Sequence, residues 1–235
     1  MQISIKSDIK QLTKRLTDIQ KKQVPFATAL ALTKTAQRVQ REEVNTMKKV
    51  FKNPTPFILK GIYIQRATKS KQYAVIGIRD KKSKGISRIE FLAPHIYGQK
   101  RDNKSLEWLL KYRRLMPRNK YLVPARKAKK NQYGNVSRDT TKKILASLDR
   151  RLDTGKKSNN DKTNTNPYYI VMPGQGMHPG IYFKNKSGTY PVFLFVDKPS
   201  YKKRFPFFEV AERISQKYFP AEFNKALQTA LSTAR

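Results

Sequence analysis

Residues 168–196 read YYIVMPGQGMHPGIYFKNKSGTYPVFLFV, and their pattern decides the fold class. Three extended runs, Tyr168–Met172, Gly180–Phe183 and Pro191–Val196, alternate with turns at Pro173–Pro179 and Asn185–Gly188. The first and third are nearly continuous apolar runs, as expected for strands of a buried sheet. They are far too short to span a bilayer. Helical periodicity follows. Pro206–Tyr218 carries Val210, Ile214 and Tyr218 at four-residue spacing, and Pro220 starts a further helix or kinks this one. Phe223, Leu227 and Leu231 continue the stripe beside Ala226 and Ala230.

Upstream lies Asp153–Asn166, a polar tract without periodicity that reads as a mobile loop. Before it, Ser137 is placed to cap a helix through Ile144, Leu145 and Leu148. Tyr121–Pro124 reads as extended. Ser105–Leu115 is a short helix with Leu106, Leu109 and Leu110 on one side and the chain's only tryptophan, Trp108. Gly61–Thr68 and Gln72–Arg79 read as strands around Lys69-Ser70-Lys71, followed by a charged loop at Lys81–Gly85 and a third strand at Ile86–Leu92. Two helices open the chain. The first follows Asp8 with Ile9, Leu12, Leu16 and Ile19 on one stripe, and Gln23-Val24 breaks it. The second starts at Pro25, runs through Ala27, Leu30, Ala31, Ala36 and Val39 toward Met47, and stops at Asn53-Pro54-Thr55-Pro56.

This order argues an α+β fold, a mixed or antiparallel β-sheet packed with N-terminal and C-terminal helices. The expected segments are a helical stretch at 1–50, an α+β middle region at 51–152, the flexible polar loop at 153–166, and strands plus a C-terminal helix at 167–235 that complete the same domain.

The charge is lopsided. Among 235 residues, 51 Lys and Arg face 16 Asp and Glu, a formal net charge of +35. A compact chain with that charge repels itself and attracts polyanions or acidic protein surfaces. The sequence holds no cysteine, which removes disulfides, thiolate metal sites and thiol nucleophiles and fits synthesis in a reducing host cytoplasm. The opening residues show no signal peptide, and no membrane partner is expected.

Catalysis needs convergent groups with tuned pKa values. The only two histidines, His95 and His178, each sit beside a proline, an arrangement typical of loops. Glu42-Glu43 is the only adjacent acidic pair. Neighbours on a helix point about 100° apart, so intrahelical ion pairs with Arg38, Arg41 and Lys48 are the plain reading. Nothing selects Glu90, Asp102 or Asp197 as metal ligands. Gly174-Gln175-Gly176 lacks the third glycine and the following helix of a dinucleotide turn. The expectation is no catalytic residue, no cofactor and no metal, hence no enzyme.

The basic clusters are the positive signal. Arg113, Arg114, Arg126, Lys127, Lys129 and Lys130 are the candidate interaction residues, with Tyr112, Tyr121 and Tyr133 interleaved. Such a surface binds nucleic acid or docks on acidic protein, and no groove-reading motif is present. Phe205, Phe207, Phe208, Phe219 and Phe223 read as core or subunit contacts.

An ordered series of short segments resembles the bacteriophage tail-completion family, minor tail protein Z. In the C-terminal half it runs through Gly180-Ile181-Tyr182, Pro191–Val196, Tyr201-Lys202-Lys203-Arg204-Phe205, Phe208, Ala211-Glu212-Arg213 and Phe219-Pro220-Ala221-Glu222. In the middle it includes Pro94-His95-Ile96-Tyr97-Gly98, Leu122-Val123-Pro124 and Tyr133–Ser137, and the Ala-rich helix at Ala27–Val39 is similar too. The high lysine content departs from that family's pattern. The resemblance implies a structural virion protein at the tail or head–tail junction. It would form a ring of copies and contact portal, connector or tail tube subunits. It implies no active site and no cofactor. DNA must slide through such a conduit, so the charge is expected to dock mainly on acidic protein, with some non-specific DNA contact. The alternative is a basic nucleic-acid-binding protein, ribosomal or nucleoid-like, outside any virion.

Overall fold

The computed structural model describes residues 1–6, 18–80, 87–153 and 167–233, with side chains described in these ranges except at 6, 18–22 and 149–153. The fold is α+β, with helices and two antiparallel sheets. The chain divides into two compact units: residues 1–99 with 201–235, and residues 100–200.

In the first unit, strand β1 (Gln2–Lys6) and strand β2 (Ile62–Gln65) flank β3 (Tyr73–Ile78), giving the order β1-β3-β2. Between β1 and β2 lie helix α1 (Asp18–Val50) and the single turn α2 (Pro56–Leu59). Thr55 caps α2 by accepting from the Ile58 N–H. Helix α3 (Arg88–Tyr97) follows β3, and α6 (Phe207–Ser232) ends the chain. The core gathers Leu32, Val39 and Met47 of α1, Ile76 of β3, Leu92 and Ile96 of α3, and Phe205 and Phe207. A second seam joins α1 to α6. Ala27 and Ala31 pack on Ala226 and Ala230, where small side chains let the two backbones approach closely. Further along, the Arg38 guanidinium reaches Glu222 at 2.6 Å and lies over the Tyr218 ring. The helices therefore run antiparallel.

In the second unit, β4 (Tyr121–Pro124), β7 (Gly188–Val196), β6 (Gly180–Asn185) and β5 (Tyr168–Val171) form one sheet in the order β4-β7-β6-β5. Helices α4 (Ser105–Tyr112) and α5 (Arg138–Asp153) complete the unit. Ser137 caps α5 as expected, accepting from the Thr140 N–H at 3.0 Å. Ile144 and Leu148 of α5 join Ile181, Val192, Phe193 and Phe195 in the core. Lys100 and Ser200 pair as an antiparallel bridge, so the chain enters and leaves this unit at adjacent points. Gly180 sits where a Cβ would fall 2.3 Å from the Phe193 carbonyl oxygen, beside a register shift at Ile181/Tyr182. The β6–β7 pairing needs glycine there.

Several expectations are corrected. The linear division into 1–50, 51–152, the loop at 153–166 and 167–235 within one domain gives way to two units, because α6 packs on α1 and the strands at 168–196 belong to the other unit. The break at Gln23-Val24 and Pro25 does not occur: α1 runs continuously through Pro25, and Val24, Ala27 and Ala31 are buried. Likewise α6 continues through Pro220. The strand expected over Ile86–Leu92 is instead the start of α3, where the Ser87 hydroxyl accepts from the Ile89 and Glu90 N–H groups. His95 therefore lies in a helix, not a loop. The first stripe at Ile9–Leu16, the charged loop at Lys81–Gly85, and all of 153–166 except Asp153 fall outside the described residues. Among the described residues, no helix is long and apolar enough to cross a membrane.

Candidate functional site: a basic groove in the second unit

The residues after β4 build the site. Ala125 donates its N–H to the Val192 carbonyl at 3.0 Å, and Ala128 donates back to the Ala125 carbonyl at 3.2 Å. Both alanines are buried. This turn pins its small residues inward and leaves Arg126, Lys127, Lys129 and Lys130 exposed. Lys130 then bridges to Val136, and the Asn131 carboxamide oxygen accepts from the Tyr133 and Asn135 N–H groups to close the loop that leads into α5.

Between this turn, the first half of α5 and the sheet lies a groove of about 860 Å³. Lys127, Lys129 and Lys143 stand around it, with Asp139 the only carboxylate among its described lining residues. Ser137 and Thr140 add hydroxyls at the amino end of α5, the end where the helix dipole is positive. The floor is apolar: Tyr168, Phe183, Tyr190 and Val192. The rings pack on one another in a row, Tyr168 to Phe183 at 5.0 Å and 61°, and Phe183 to Tyr190 at 5.2 Å and 41°. Burial, reinforced by Tyr190, holds the Tyr168 phenol above its ordinary pKa, so it remains a donor at neutral pH.

Of the six residues expected to interact, Lys127 and Lys129 line this groove. Arg126 and Lys130 belong to the same turn but do not line it. Arg113 and Arg114 are elsewhere, at the carboxyl end of α4, where Arg114 takes the left-handed conformation (φ 56°) that terminates the helix. That helix carries a feature the sequence reading left unassembled. Trp108 and Tyr112, one helical turn apart, stack at 5.4 Å with planes 5° apart while 61% and 74% exposed. Their i, i+4 spacing was the available signal.

Two further candidates resolve as structure. Glu43 makes no intrahelical ion pair. It is fully buried, and neither carboxyl oxygen has a hydrogen-bond partner. Burial, with Glu42 and Glu209 adding to it against Arg213, pushes its pKa up to about 9, so it is a neutral acid at pH 7. His95 is buried among the rings of Phe51, Phe91 and Tyr201. Arg204 Nε donates to its Nδ1 at 3.2 Å, and its carbonyl accepts from the Arg204 and Phe205 N–H groups. Burial, with Arg204 beside it, lowers its pKa to about 4 and keeps it neutral. Gly98, at φ 70°, caps α3 where a Cβ would fall 3.1 Å from the Lys203 nitrogen. The segments Pro94–Gly98 and Tyr201–Phe205 are thus one packed unit. His178 lies exposed before β6, its Nδ1 3.0 Å from the Pro179 carbonyl. Phe205 and Phe207 are fully buried, Phe208 is exposed, and Phe219 and Phe223 pack partly buried at the α1–α6 seam.

Of the metal-ligand candidates, Asp197 instead pairs with Lys120 at 2.9 Å, and among the described residues no group of three or more His, Asp or Glu gathers. No family model, curated protein or solved structure matches this chain.

Proposed function

We propose that this chain is a structural component of a bacteriophage virion, a tail-completion or minor tail protein at the tail or head–tail junction. It works in a ring of copies and is not an enzyme. The observation that carries the reading is the charge: 16 carboxylates cannot neutralise 51 cations, so countercharge comes from a partner. The resemblance supports the choice of partner, with portal, connector or tail tube subunits as the neighbours. The packing of Pro94–Gly98 on Tyr201–Phe205 agrees with it in kind, because it gives two of the resembling segments a structural role.

The exposed Trp108–Tyr112 stack, next to Arg113 and Arg114, favours a second reading: a basic nucleic-acid-binding protein outside any virion, with bases stacking on those rings. Mass spectrometry of purified particles, separated into heads and tails, decides between them. The virion reading expects this chain in the tail or neck fraction at a fixed copy number. Absence from particles, together with nucleic-acid affinity that falls steeply with salt, supports the second reading.

A further inference from the structure

The groove of the second unit narrows the identity of the countercharge. Among its described lining residues, Lys127, Lys129 and Lys143 stand against the single carboxylate of Asp139. That balance favours an anionic occupant, and the size and the floor of the groove restrict its kind. At about 860 Å³ the groove is far larger than one phosphate group needs, and its volume suits a short extended segment with side-chain anchors. A single strand would need flat ring faces on which bases stack. Here Tyr168, Phe183 and Tyr190 pack on one another at 61° and 41°, so they form an apolar floor without a parallel row of ring faces. An apolar floor below a cationic rim matches an apolar anchor set among acidic side chains, the usual division between the centre and rim of a protein interface.

We infer that this groove is a docking site for an acidic peptide segment carrying apolar anchors, contributed by a chain other than this one. A second copy does not fit. Each copy carries a formal net charge of +35, so copies docked on one another add no net countercharge. The inference rests on the reading that protein supplies most of the countercharge. Particle composition tests that reading and peptide binding tests this one, so either can fail alone.

The test uses the purified full-length chain and fluorescence anisotropy. The probe is a labelled 12-residue peptide alternating glutamate with leucine and phenylalanine. Twelve consecutive glutamates and a 12-nucleotide oligothymidine serve as competitors. Two double variants carry the same change in charge: Lys127→Glu with Lys129→Glu in the groove, and Lys184→Glu with Lys186→Glu at the end of β6 and the turn after it. All four are exposed lysines, and circular dichroism verifies that both variants fold. The anchored peptide should bind the groove variant at least tenfold more weakly than the parent, and the turn variant within about threefold. The unanchored polyglutamate should compete at least tenfold less well than the anchored peptide. Equal losses in both variants, no measurable binding of the anchored peptide, or equal competition by polyglutamate overturns the proposal. So does stronger, groove-dependent displacement by oligothymidine, which makes the occupant a nucleic acid.

Discussion

Glu43 shows how one residue can run against the composition of its surroundings. In a chain with +35 formal charge, a carboxylate is expected to sit among cations at the surface; this one lies in the core between Val39 and Met47. Its folded pKa, about 9, lies above the unfolded value of 4.5. Below pH 4.5 both states hold the proton and the group adds no pH dependence. Between pH 4.5 and 9 only the unfolded state releases it, so stability falls with rising pH, at most by about 1.4 kcal/mol per unit. Glu43→Gln should flatten that part of a urea-denaturation profile; an unchanged slope rules the assignment out. Glu107 is the opposite case. Burial works to raise its pKa, but hydrogen bonds from Arg101 and from the Lys104 and Leu122 N–H groups outweigh burial and hold it low. Glu107→Ala would take the carboxylate from the buried Arg101, leaving the guanidinium charge to backbone carbonyls such as those of Asp102 and Leu122, and should cost about 3–5 kcal/mol. Replacing both, Arg101→Met with Glu107→Leu, should recover only part of that, because two backbone N–H groups still lose their acceptor. Full recovery of the double variant to the parent's stability in urea melts would show that these backbone bonds contribute nothing, and no recovery at all would show that the unpaired charge does not carry the cost. Glu43 was legible in hindsight, since it shares a stripe with Ala36, Val39 and Met47. The Arg101–Glu107 pair was not, because its third partner, β4, lies 15 residues away from Glu107 in sequence.

Elements were read best where periodicity alone decided, and worst at prolines. The strands at 121–124, 168–171, 180–185 and 188–196, and the Ser137-capped helix, follow from alternation, turns and capping chemistry. Pro25, Pro94 and Pro220 all lie inside helices. A proline inside a helix loses one backbone hydrogen bond and strains its own turn, and that local penalty makes it read as a boundary. Tertiary packing decided otherwise at two of them: the α1–α6 seam buries Ala27 and Ala31 just past Pro25, and Ala226 and Ala230 past Pro220. Local sequence cannot report that compensation, because the seam joins residues about 200 positions apart. The seam leaves little room for larger side chains. Ala31→Leu, or Ala226→Leu, should overpack it and cost about 1–3 kcal/mol in thermal or urea unfolding. A neutral or stabilising effect would mean that the helices are more loosely packed than the contacts imply. The helical start of α3 was signalled by Ser87 three residues before Glu90, but the β-branched residues around it favoured the strand reading.

At the scale of the whole molecule, the fold class and the clustering of basic residues in sequence were legible, but the way the fold gathers them was not. Lys127 and Lys129 could be named from sequence, whereas their convergence with Lys143, Tyr168 and Tyr190 depends on how α5 lies over the sheet. The division into two units was hidden for the same reason. The second unit is an insertion whose ends meet at Lys100 and Ser200, and the first unit is completed only when α6 returns to α1. Charge is the property that ties the molecule to its surroundings. In isolation, self-association should strengthen as salt screens the repulsion between copies, measured by light scattering from about 0.05 to 0.5 M salt. Association that weakens with salt would instead mean that copies attract one another through opposite charges. The most direct test of the central claim is zero-length crosslinking of lysines to carboxylates on purified virions, read by mass spectrometry. The account predicts crosslinks from Lys127 and Lys129 to aspartates or glutamates of other virion proteins. Particles that lack this chain, or that hold it with those lysines joined to no other protein, would contradict it.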